Sequence, residues 1–90
     1  MPQAIADPDE LRRFAASLKK FNTDVRDRIV ALNGQLVSLA KTWRDQENKK
    51  FSEDFDQQMK VIVHFIETTK EYIPYLVRKA ESVEQYLQQR

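Results

Sequence analysis

Histidine occurs once in this sequence, as His64, and cysteine does not occur. Hydrolytic catalysis through an activated nucleophile needs a base, a nucleophile and an orienting acid held together. A catalytic zinc site needs three protein ligands. Nothing at helical spacing supplies either set around His64, which falls among polar positions and reads as a solvent-facing side chain. Glu53, Asp54 and Asp56 crowd three carboxylates into a short stretch. Such a group can share a proton or hold a cation. Lys49 and Lys50 stand just before it, so ordinary surface pairing near a helix start is the plainer reading. No glycine-rich phosphate loop is present, because the sequence holds one glycine. Phe14, Phe21, Phe51, Phe55, Phe65 and Tyr72 recur at core spacing rather than as a cofactor box. The expected catalytic residues, metal ligands and cofactors are therefore none, and function must reside in surfaces.

The elements that carry those surfaces are legible. The chain has 90 residues, 32% of them charged and 41% hydrophobic, with a net charge of +1. That composition suits one globular domain, and the balanced charge argues against a nucleic-acid face. No apolar run has the length of a membrane span, and an interfacial helix would need a basic polar face where this one is mixed. The first residues, Met1 to Asp7, lack the basic and apolar regions of a cleaved signal peptide. The expected location is the cytoplasm, or the exterior by a route without a cleaved signal.

Asp7-Pro8-Asp9-Glu10 is a dense helix start. Asp7 is the expected cap, Pro8 the first helical residue, and Glu10 the reciprocal partner of a capping box. From there Leu11, Phe14, Ala15, Leu18, Phe21, Val25, Ile29, Leu32, Leu36 and Leu39 recur by threes and fours, which predicts a helix over about 8–42. A second series runs Phe51, Phe55, Met59, Ile62, Phe65, Ile66, Tyr72, Ile73, Leu76, Ala80, Val83 and Leu87, which predicts a helix over about 46–88. Its β-branched middle at residues 61–66 would suit a strand by propensity alone, but the spacing on both sides is helical. Pro74 lies inside this second helix and predicts a kink one turn back, near Lys70.

The two series face each other in an antiparallel sense. Leu36 with Phe55, Leu32 with Met59, Ile29 with Ile62, Val25 with Ile66 and Leu18 with Ile73 have residue numbers with a near-constant total. The centre of that pairing is the turn at Trp43, Arg44 and Asp45, with Trp43 wedged at the end of the helices. Beyond Leu11, the second helix overhangs, so Ile5 can fold back near Tyr86. The expected fold is all-α, one antiparallel two-helix hairpin. A single layer leaves its other apolar arcs uncovered. Val61 and Val63 point to either side of the seam around Phe65. Val30, Gly34 and Val37 form a small strip beside it, where Gly34 either admits a close helix or is a tolerated exposed glycine. These residues, with Phe51 and Phe55, are the candidate interface for dimerisation into a four-helix bundle.

A length near a hundred residues, two long antiparallel helices, Trp43 in the turn and Phe51 eight positions later make the chain resemble the WXG family, small bacterial helical hairpins of type VII secretion. The opening from Asp7 to Phe14 is similar as well. The resemblance implies a non-enzymatic substrate, partner or adaptor that pairs with itself or a related hairpin, with the secretion machinery as a further partner. It implies no nucleic acid and no membrane insertion. A structural assembly subunit unrelated to secretion is the alternative. Two positions depart from the family pattern. Asp45 stands where the family has glycine, and aspartate can either take a left-handed turn conformation or cap the next helix. Arg90 stands four residues after Tyr86, where the family's export signal has an acid. The chain is therefore expected to travel, if exported, with a partner that carries the signal.

Overall fold

The computed structural model describes residues 6–89. Three helices follow one another: α1 Pro8–Ala40, α2 Gln46–Lys70 and α3 Tyr72–Gln88. The described residues contain no strand, so helical spacing prevails over β-branched content at residues 61–66. The expected roles of Ile5 and Arg90 lie outside the described residues.

α1 starts where its capping residues stand. Asp7 is extended, and its carboxylate accepts the Asp9 N–H at 2.9 Å. Pro8 fills the first turn, where a missing N–H costs nothing. Glu10 does not reach back to the cap. Its carboxylate pairs instead with Arg13 at 2.9 Å, so the expected reciprocal box is only half formed.

The predicted second helix is two segments, α2 and α3, meeting at Glu71. The cause is Pro74, which cannot donate to the Lys70 carbonyl and crowds it. Because α3 begins at Tyr72, Pro74 sits in its first turn, where proline is tolerated. Glu71 keeps right-handed helical angles, φ −72 and ψ −23, so the junction is a bend rather than a loop. α2 and α3 together return along α1, and the molecule measures 69 × 17 × 16 Å.

Packing is uneven along this rod. Every fully buried residue among those described lies in the half away from the turn: Ala15, Asn22, Ile66, Thr69, Ala80 and Val83. Ala15 at 2% exposure and Ala80 at 0% are small enough to bring the helices close. That approach moves the large rings off the contact line. The spacing predicts Phe14 and Phe21 on the seam; the structure leaves them 60% and 51% exposed beside it. Leu11, Ala15, Leu18, Asn22, Val25, Ile29 and Leu36 form the actual inner row of α1. Phe51, Phe65 and Tyr72 are likewise exposed flank residues of α2 and α3. The physical reason is geometric: at about 100° per residue these rings sit on one edge of an apolar arc wider than a single partner helix covers.

Candidate interaction surfaces

Two polar contacts, neither evident from apolar spacing, fix the hairpin's register. The Asn22 amide donates to the Thr69 hydroxyl at 3.1 Å, and both residues are buried. Their numbers have the same total as Leu32 with Met59, in agreement with the facing seams. The Thr69 hydroxyl donates in turn to the Phe65 carbonyl at 2.8 Å. Near the open end Arg12 binds both Glu84 oxygens, at 2.7 and 2.6 Å. This two-pronged bond holds the Glu84 carboxyl below its ordinary value and raises Arg12. A buried asparagine within an apolar run was the only sequence signal for the first pair. Nothing in the spacing marked the second.

The turn is built without glycine. α1 ends at Ala40, and the Leu39 carbonyl accepts the N–H groups of Thr42 and Trp43 at 3.1 and 2.9 Å. Arg44 folds its guanidinium back onto the Lys41 carbonyl at 2.8 Å. Asp45 is extended, with φ −87 and ψ −179, and its carboxylate accepts the Asn48 N–H at 3.1 Å. Of the two roles open to aspartate here, the structure selects the helix cap. No described residue has positive φ, so the turn has no position that demands glycine. The Asn48 amide caps the Trp43 carbonyl, and Trp43 itself is half-buried. Its ring lies 5.5 Å from Phe51, which stacks on Phe55 at 5.9 Å.

From this aromatic cluster an apolar face spreads along one side of the rod. Leu32, Leu36 and Leu39 of α1 line an open groove with Phe51 and Phe55. Further along, Phe21 meets Phe65 edge to face at 6.2 Å. Phe14 lies two turns before Phe21 on the same flank of α1, and Val61 lies on the Phe65 flank of α2. All but Leu36 and Phe55 are exposed. Val30, Gly34, Val37 and Val63 lie on the opposite side by the same angular count. A side-chain carbon added at Gly34 would meet nothing within 4 Å, so no helix of the hairpin approaches it. The eight candidate interface residues therefore divide between two faces, of which the Phe51–Phe55–Val61–Phe65 face is the broader.

Groups with the makings of chemistry remain apart. His64 is exposed. Asp56 pairs with Lys60 at 3.3 Å, and the described residues contain no cluster able to hold a metal ion. No described helix is long and apolar enough to cross a membrane.

A helical hairpin with an aromatic turn and a long uncovered apolar face defines a small protein that acts through contact surfaces. Residues 3–88 match the family described as WXG100, proteins of 100 residues with WXG. The chain belongs to that family. No curated protein and no solved structure matches it.

Proposed function

We propose that this chain is a non-enzymatic hairpin of type VII secretion that works as substrate, partner or adaptor by pairing with a second hairpin, its own copy or a related chain. The partner covers the face carrying Phe14, Phe21, Leu32, Leu39, Phe51, Val61 and Phe65, which makes a four-helix bundle of two layers.

The observation that carries this reading is surface area. The hairpin exposes 7435 Å². A compact chain of its 10.7 kDa mass exposes about 5,500 Å². The surplus of about 1,900 Å² per chain amounts to about 3,800 Å² over a pair, within the about 2,000–5,000 Å² of obligate interfaces. An exposed apolar face of this extent is rare on a protein that stays alone. Membership of the family supports the association with secretion, and pairing offers a route for a chain whose Tyr86 region lacks the acidic signal residue.

Light scattering across a dilution series tests the pairing. The expected mass is twice 10.7 kDa for a self-pair, or the heterodimer mass when a related hairpin from the same genome is added. Phe21→Glu with Phe65→Glu should return the monomer, whereas Val30→Glu with Val37→Glu should not. A monomer under all conditions, with every related hairpin tried, rejects the proposal.

A further inference from the structure

On the side of the rod away from the Phe21–Phe65 face, the Pro74 bend opens a groove of about 470 Å³ between α1 and the α2–α3 junction. That volume is within the about 300–1,000 Å³ typical of ligand sites. Ile66, Ile73 and Pro74 give it an apolar wall. Lys19, Arg26 and Lys70 stand on its rim. Arg26 is engaged with Glu67 at 3.2 Å, but Lys19 and Lys70 make no ion pair among the described residues. The groove also holds a backbone acceptor. Pro74 has no N–H for the Lys70 carbonyl, and both residues line the cavity. Asn22, 7% exposed, sits at the groove's edge, with its bond to Thr69 using one of its two amide hydrogens.

We propose that this groove is a binding site for an acidic peptide segment with an apolar side chain. The chemistry selects that class in three ways. Unpaired lysines on two sides of the groove call for carboxylates. The isoleucine and proline wall calls for an aliphatic side chain between them. The free carbonyl calls for an N–H donor, which a peptide backbone carries and a fatty acid or phosphate does not. The site is independent of the pairing proposed above, because it lies on the other face and remains open when that face is covered.

The test is fluorescence anisotropy with the full chain and a labelled peptide, Asp-Leu-Glu-Leu-Asp. Saturable binding that weakens with salt is expected. Lys19→Glu with Lys70→Glu should weaken it at least about tenfold, since two attractions of the exposed class become repulsions. Pro74→Ala restores the missing N–H, straightens the helix and should also lower affinity while raising helix content, so its effect is not one of unfolding. Peptides with Asn and Gln for the acids, or with Ser for Leu, should bind far less well. Absence of binding overturns the proposal. So does binding indifferent to the lysine reversals or to the leucines. Equal binding of octanoate, or of a single-stranded oligonucleotide of matching charge, overturns it too. Light scattering on the same sample reports pairing separately, so failure of one proposal is distinguishable from failure of the other.

Discussion

Removing the two members of the buried Asn22–Thr69 pair should have unequal consequences. In Thr69→Val the volume is kept, but the Asn22 amide loses its only hydrogen-bond partner within the hairpin. Asn22 is 7% exposed, so that amide is left buried without a partner. Such a group costs about 1–3 kcal/mol. In Asn22→Leu the reverse holds. The Thr69 hydroxyl still donates to the Phe65 carbonyl at 2.8 Å, so no donor is orphaned, and a polar side chain is replaced by one that suits the seam. That change should be neutral or stabilising. The double variant should recover most of what Thr69→Val loses, a coupling of about 1–2 kcal/mol for residues in direct contact. Urea unfolding followed by circular dichroism, at one fixed chain concentration, measures all four proteins. For a domain of this size each 1 kcal/mol corresponds to about 4–8 °C in Tm. Equal destabilisation by the two single variants would refute the reasoning, because it would mean that the bond rather than the orphaned amide carries the energy.

Three further outcomes follow from the turn and the open end. Asp45→Ala should lower stability by about 1 kcal/mol through loss of the cap, and Asp45→Gly by only a few tenths; urea midpoints distinguish them. Trp43→Ala should cost less than the about 3–5 kcal/mol of a fully buried aromatic, because the ring is half-buried against Phe51, and the same titration checks it. The Arg12–Glu84 bond should make stability depend on acid pH. Glu84 is held low in the fold, so its contribution is present above the unfolded value of about 4.3 and is lost as pH falls through the lowered folded value. The stability difference between the natural chain and Arg12→Leu should therefore be constant at neutral pH and vanish in strong acid.

The order and type of the helices could be read because a 3.6-residue period persists in both apolar series, and because Asp7, Pro8 and Pro74 act locally on the backbone. Even Asp45 showed one of its two possible roles, since capping needs only the next turn. The inner row was harder to read. Phe14 and Ala15 are adjacent, and hydrophobicity alone favours the phenylalanine for the interior. The choice depends on interhelical distance, which Ala15 and Ala80 set together from opposite ends of the chain. Asn22 was hidden for a related reason: an amide on an apolar stripe is explained only when its partner, Thr69, is known. The separation of Val30, Gly34 and Val37 from Phe51 and Phe65 also needed both helices in place. Each residue's angle was available, but not which flank of one helix lies beside which flank of the other.

The concentration of buried residues away from the turn has a consequence for how the chain is made. Many hairpins close outward from their loop, so that each new contact spans little more sequence than the last. Here the contacts of greatest burial join Ala15 and Asn22 to residues near Thr69 and Ala80, and little is buried beside the loop itself. Closing so long a loop costs entropy before any contact compensates. During synthesis, the 33 residues of α1 emerge first, and they must wait for α3 before their inner row is covered. In that interval α1 is a lone amphipathic helix with an exposed stripe, open to any other helix that offers one.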